Sequence, residues 1–348
     1  MATSTFNVKH TELGKKQTMN ANNKKVVNLI ADIGGTNIRI AQANTQSDSK
    51  YNDIETYQCA NYSSLADVIA QYIKSKNIAD SCINACLAIA CPTDNDVISM
   101  TNLPWQFSQK ELVNTLNLNS LSMINDYTAI AMAIPLLNDN QKVKIGGGEA
   151  VAGKPISVCG PGTGLGVANL VPITMGEKSQ WHCISGEGGH VDFAPVDELE
   201  IAVLRYINTI KNRVSYEQLL SGYGIEQIYQ SLANNDDDEE EARLTAQEIS
   251  KRGIEKTCII CQQTMLIFCQ VLGSFAGNLA LIINSQGGVY IAGGIVPRFI
   301  DFLKASKFRE RFENKGRLSH ITEQAPTYVI TETQPGLLGA AAYILQQQ

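Results

Sequence analysis

The sequence predicts an α/β protein built from two similar halves that face a cleft, and three observations carry that expectation. Strand-like apolar runs alternate with helical periods along most of the chain, the pattern of layered α/β architectures. The segments NLIADIGGTNIRIA and ISVCGPGTGLGVANL both read apolar strand, Gly/Thr turn, apolar strand, about 130 residues apart. Repetition of one supersecondary unit points to two related half-folds. The chain has 348 residues, 44% of them hydrophobic and 18% charged, enough for two globular domains or one large one with a cleft.

The first 25 residues are polar and lack a secretory apolar core, so they read as a flexible tail. Strand-like runs follow at 26–33, 38–43, 83–90, 121–124, 156–159, 167–171, 288–292 and 327–330. Between the early runs, SSLADVIAQYIK puts Leu65, Val68, Ile69, Tyr72 and Ile73 on one helical face. Capping boxes fit at Ser108/Glu111, Ser215/Gln218 and Thr245/Glu248. The acidic run at 234–243 reads as a solvated loop leading into the Thr245 helix.

Net charge of −6 argues against nucleic acid or an anionic membrane as the main partner. No apolar run is read as approaching the roughly 20 residues that span a bilayer. Nine cysteines, an odd number in a long chain, fit a reducing cytoplasmic setting. Cys82, Cys86 and Cys91 around an apolar run, and the lone pair Cys258 and Cys261, read as core packing.

Several near-motifs fail on context. GEAVAGKP ends in Pro155 where a P-loop needs Ser or Thr for magnesium. GPGTGLGV lacks the final glycine of a dinucleotide fingerprint and leads into another strand. Other polar positions need a reason. The turn carrying Asp32, Gly34, Gly35 and Thr36 is either an ordinary hairpin or a cradle of backbone N–H groups for phosphate. Asn125 and Asp126 sit between an apolar strand and an apolar helix, as an N-cap or as a carboxylate at a strand's ligand-facing end. Glu187 and His190 flank glycines, and Glu217 lies in a helical first turn. Together Asn, Asp, two Glu and His are equipment for hydrogen-bonding a polyhydroxyl ligand. Gly293-Gly294 lets a flat ring approach backbone. Asn102 shares a loop with Trp105, which reads as packing.

With these residues in place, the chain from about Val26 onward resembles the bacterial glucokinases of the hexokinase/actin/Hsp70 superfamily, most closely the enterobacterial type. ADIGGTNIR, TNLPW, INDYTA, GPGTGLGVANL, GEGGHVDFAP, SYEQLLSG, GGVYIAGGIVPRF and PGLLGAA occur in that family's order. The resemblance implies a two-domain actin-like, ribonuclease-H-like ATPase fold with the active site in the interdomain cleft. Its boundaries would be 26–136 plus 335–348 for a small domain and 137–334 for a large one. It implies ATP-dependent phosphorylation of D-glucose in a cytoplasmic homodimer. Asp126 is then the general base, and Asn102, Asn125, Glu187, His190 and Glu217 bind sugar. Ala31, Asp32, Ile33, Gly34, Gly35 and Thr36 form the first phosphate motif, with Asp32 orienting Mg²⁺ through water. Gly162, Thr163 and Gly164 form the second, and Gly293 and Gly294 the adenosine wall. Another hexose (mannose, fructose or N-acetylglucosamine) and a non-catalytic sugar sensor are the alternatives. Two departures stand out: Ala31 where many relatives carry Gly, facing a tight turn, and SGYG at 221–224, expected to leave that corner less rigid. Ten prolines and a preference for Lys over Arg further predict modest stability and adaptation to cool or moderate temperature.

Overall fold

The computed structural model describes residues 24–44, 50–100, 103–176, 178–233 and 244–347. Most of the N-terminal tail, Asn102 and the acidic run at 234–243 lie outside the described residues.

The first sheet begins with a meander of β1 (Val26–Ile33), β2 (Asn37–Ala43) and β3 (Tyr51–Gln58). Helix α1 (Leu65–Ser75) returns the chain to β4 (Cys82–Ile89), parallel to β1. A ribbon of β5 (Val97–Ser99) and β6 (Gln106–Ser108) leads through α2 (Gln109–Thr115) to β7 (Ser120–Asn125), parallel to β4. Helix α3 (Asp126–Ala133) leaves the carboxyl end of β7. The sheet order is β3-β2-β1-β4-β7.

The second sheet contains β8 (Lys142–Gly146), β9 (Ile156–Pro161), β10 (Leu165–Met175) and β11 (Lys178–Gly186). Helices α4 (Glu198–Ile210), α5 (Gly222–Ala233), α6 (Ala246–Ile254) and α7 (Ile259–Ile283) precede β12 (Val289–Ile291). Then come α8 (Ile300–Ala305), α9 (Phe308–Glu313), α10 (Ser319–Gln324), β13 (Thr327–Ile330) and α11 (Pro335–Gln346). The order is β11-β10-β9-β12-β13-β8. Its first five strands repeat the first sheet: an antiparallel trio followed by two parallel strands. The expected duplication is therefore present, with β8 added at one edge.

Alternation along β1 explains its burial on both faces. Val27, Leu29, Ala31 and Ile33 pack with the five α1 residues expected from their spacing. Ile30 faces the other way, onto α3 and α11 through Ala129, Leu337 and Ala341. Each fully buried aliphatic side chain of this kind stabilises by roughly 1.5–3 kcal/mol. Helix α3 also reaches the second sheet, where Ala131 and Met132 meet Val158 and Leu170. Helices α3 and α11 touch backbone to backbone, since a Cβ on Gly339 would stand 1.6 Å from the Ala129 carbonyl oxygen.

Four expectations change. Helix α7, at 25 residues, is long and apolar enough to cross a bilayer by length and composition, contrary to the reading of apolar runs. Cys261, Met265, Phe268, Leu272 and Phe275 bury it in the core beside the second sheet instead. Ser215 opens only a single 3-10 turn and caps nothing, because it is buried and bridges Asp192. Thr245/Glu248 forms the full capping box, and Ser108 caps α2 through the Glu111 N–H. Cys258 is an N-cap, its Sγ accepting from the Cys261 N–H at 3.4 Å, and so serves α7 rather than the core alone. Ala31 lies inside β1, opposite Ile40 and Leu87, where strand alternation turns it to the core rather than to a turn.

Candidate active site

Strand register builds the site from the first sheet. Ile33, Ile89 and Asn125 lie in one row across β1, β4 and β7. One step past that row, the parallel strands release the Gly34–Thr36 turn, Ala90-Cys91-Pro92 and Asp126. Open α/β sheets place ligands at these carboxyl ends. From the second sheet, the β9–β10 hairpin presents Gly162–Gly164, and the exit of β11 presents Glu187 and His190.

These groups line one cleft of about 690 Å³. Among the anticipated residues, Gly35, Asn125, Asp126, Gly162, Thr163, Gly164, Glu187, His190, Glu217 and Gly293 border it. Ala31 and Ile33 do not, their side chains being buried, so only their backbone could serve a phosphate. Asp32, Gly34, Thr36 and Gly294 stand outside the lining of that cleft. Cys91 borders it, which core packing alone had not anticipated.

Of the two roles anticipated for Asn125, the N-cap is present. Its Oδ1 accepts the Tyr127 N–H at 2.9 Å as the N-cap of α3, and its side chain also hydrogen-bonds the Asp126 carboxyl. The same Tyr127 N–H also donates to Asp126 Oδ1 at 2.9 Å. Burial pushes the Asp126 carboxyl up to about 6; the Asp32 charge adds to this and the Tyr127 N–H opposes it. Burial likewise raises Asp32, against the Arg39 guanidinium 3.8 Å away. A carboxyl at about 6 is mostly ionised at neutral pH yet basic enough to accept a proton, the condition for a general base.

The second turn is held by residues that no motif flagged for it. Tyr127 donates its hydroxyl to the Gly160 carbonyl at 2.6 Å. Its ring lies over Gly160 and Gly166, cross-strand partners at which a Cβ would come within 2.3 and 1.8 Å of the tyrosine. That glycine pair was the available signal. Glu217 Oε2 accepts the Leu165 N–H at 2.9 Å, and its Oε1 lies 3.6 Å from His190 Nε2. The 187–190 loop folds onto the hairpin, since a Cβ at Gly189 would meet the Leu165 carbonyl oxygen at 2.1 Å. Arg213 ties that loop down, donating to the His190 carbonyl at 2.8 Å and to Asp192 at 2.6 Å.

A second cavity of about 750 Å³ continues from Gly162 and Thr163 between α5, α6 and the 295–299 turn. Tyr223, Ile254, Ile295 and Phe299 give it apolar walls, while Glu226, Lys251 and Arg298 supply charge. Within the SGYG corner, Ser221 Oγ accepts the Gly224 N–H at 3.0 Å. No group of three or more His, Cys, Asp or Glu able to hold a metal exists among the described residues. Mg²⁺ needs no such group, since it keeps several waters and uses one or two carboxylates plus substrate phosphates.

The profile of the glucokinase family matches residues 29–347. The glucokinase of Colwellia psychrerythraea is 62% identical over 331 residues, covering 94% of this chain and 98% of the relative. The crystal structure of a glucokinase from an Antarctic psychrotroph superposes with a TM-score of 0.82 at 36% identity, covering 92% of this chain and 98% of that one. A ROK-family glucokinase from Streptomyces griseus, solved with glucose and AMPPNP, shares the fold with a TM-score of 0.58 at 16% identity, covering 91% and 98% of the two chains.

Proposed function

This chain belongs to the glucokinase family, has the actin-like ATPase fold and phosphorylates glucose with ATP, and on that premise we propose that Asp126 is the general base. The observation that carries the reading is the raised carboxyl of Asp126, which shares one cleft with a glycine phosphate turn and with Glu187, His190 and Glu217. Asn125, Glu187, His190 and Glu217 fix the hydroxyls of D-glucose, with Asn102 a further sugar contact. The phosphates of ATP lie between the Gly34–Thr36 and Gly162–Gly164 turns. The nucleoside passes Gly293-Gly294 into the second cavity.

Asp126 accepts the proton of the sugar 6-hydroxyl as that oxygen bonds to the γ-phosphorus. The bond from phosphorus to the bridging oxygen breaks, and ADP leaves with the electron pair. Proton transfer to a positioned base contributes roughly 10²–10⁴-fold. Asp32 would hold Mg²⁺ through water; when bound, the ion neutralises phosphate charge. Residues 26–136 with 335–348 act as one body and 137–334 as the other, and their closure excludes water, the competing nucleophile. The resemblance extends the reading to a cytoplasmic homodimer, which sedimentation would test.

An ADP-release assay with ATP, Mg²⁺ and a panel of hexoses tests the substrate. Glucose should turn over fastest, yielding glucose 6-phosphate. Faster turnover of mannose, fructose or N-acetylglucosamine would move the assignment to that sugar.

A further inference from the structure

Besides Asp126, Glu187 and Glu217 border the cleft, and of these two only Glu217 also touches the second glycine turn. Glu187 has no hydrogen bond to either turn among the described contacts. Glu217 divides its two oxygens. Oε1 points toward His190, and Oε2 accepts the backbone N–H of Leu165, the residue that directly follows the second turn. Gly164 is built for this approach, because a Cβ there would stand 2.5 Å from Oε2. The backbone beside it is tied in as well, with Gly222 N–H donating to the Gly162 carbonyl at 3.0 Å. Among the described residues the first turn has no such link. Its contacts are the Gly34 N–H to Asn37, the Cys59 N–H to Thr36 and the Cys59 thiol to Gly34.

Resting on the reading of Gly162–Gly164 as a phosphate turn and of Glu217 as a sugar ligand, we propose that Glu217 is a positioning residue that couples the two. Sugar held on Oε1 fixes the carboxylate. Oε2 then fixes the Leu165 N–H and, with it, the backbone amides that meet the nucleotide phosphates. Glucose therefore tightens nucleotide binding, and by linkage nucleotide tightens glucose binding by the same factor.

Titration calorimetry with AMPPNP and Mg²⁺, with and without saturating glucose, reads this factor directly. For the unaltered protein it should fall within the roughly 5–150-fold range usual for coupled sites. Glu187→Gln should weaken glucose yet keep the factor once glucose saturates. Glu217→Gln, which keeps shape but loses the charge shared between the two contacts, should cut the factor to about a third or less. Gly164→Ala, which occupies the space of Oε2 and leaves the glutamate in the chain, should do the same, and it serves where Glu217→Gln binds glucose too weakly to titrate. Equal factors in Glu217→Gln and the unaltered protein would overturn the proposal. So would equal loss in Glu187→Gln, which would assign the coupling to sugar occupancy in general. A protein that binds glucose and AMPPNP independently overturns it too. One that binds no glucose at all overturns the sugar-site reading beneath it.

Discussion

The Gly34–Thr36 turn and the Gly162–Gly164 turn close hairpins of matching topology, yet they are supported in different ways. The first leans on its own sheet: Gly35 and Thr36 are exposed, and a Cβ on Gly34 meets only the Asn37 carbonyl oxygen, at 3.2 Å. Beneath it lies Asp32, a carboxyl raised by burial and placed against Arg39 and Gly336. The second turn is clamped from outside its sheet by Tyr127, Glu217 and Gly222. A duplicated hairpin thus separates two tasks. One copy stays open above a carboxylate, and the other is tied to the start of α3 and to Glu217.

The comparison breaks most visibly at Asp126, which borders the cleft that both turns line. Asp126→Asn should lower kcat by roughly 10²–10⁴ while glucose affinity changes far less, since the amide still accepts a hydrogen bond. Near-normal kcat in this variant would leave Asp126 a helix-cap residue only.

Paired glycine substitutions sharpen the contrast in support. Gly166→Ala forces a methyl group into the Tyr127 ring and should destabilise by roughly 1–3 kcal/mol or more, as overpacking does. Gly34→Ala should leave the unfolding midpoint nearly unchanged and act, if anywhere, on ATP affinity. Similar destabilisation by both would erase the distinction between the turns.

A pH series tests the base itself. With the Asp126 carboxyl near 6, kcat/KM for glucose should fall about tenfold per pH unit below that value. The folded protein holds this proton more tightly than the unfolded chain, whose carboxyl lies near 3.8. The stability it contributes is therefore complete below about 3.8 and lost as pH rises through about 6. Asp126→Asn should then raise the unfolding midpoint at pH 8 and not at pH 3.5. An activity limb near pH 4 would remove the raised carboxyl from the mechanism.

At the first turn the expected effect is smaller. Asp32→Asn should raise the Mg²⁺ concentration for half-maximal rate several-fold, with the glucose KM unchanged. An unchanged Mg²⁺ requirement would separate Asp32 from the metal. Smallest of all is the effect of composition. Few prolines and few arginines predict a ligand-free unfolding midpoint no higher than the usual mesophile range of roughly 45–65 °C, and a midpoint well above it would end the cold-adaptation reading.

How much of this was legible differs strand by strand. β1, β2, β4, β9 and β10 announced themselves because their apolar side chains are buried on both faces or nearly so. Of the four edge strands of the two large sheets, β7 was read from its apolar run at 121–124, while β3, β8 and β11 were not. There one face meets solvent, as in the mostly exposed run of β3, and the apolar period is lost. Site residues were legible as chemical types at the ends of strands. Local reasoning could not choose between cap and ligand at Asn125, because the same side chain has atoms for both.

By itself the sequence determined the alternation of strands and helices, the repeated hairpin, the α1 face and the presence of sugar-type polar groups beside glycine turns. Those signals are local or periodic, and residue size and polarity encode them directly. Only the tertiary structure decided that Tyr127 lies across Gly160 and Gly166, and that Glu217 reaches the Leu165 N–H from 52 residues away. Contacts between distant segments form where packing brings two backbones together. They leave in the chain only the missing side chains, here glycines, that make room for them.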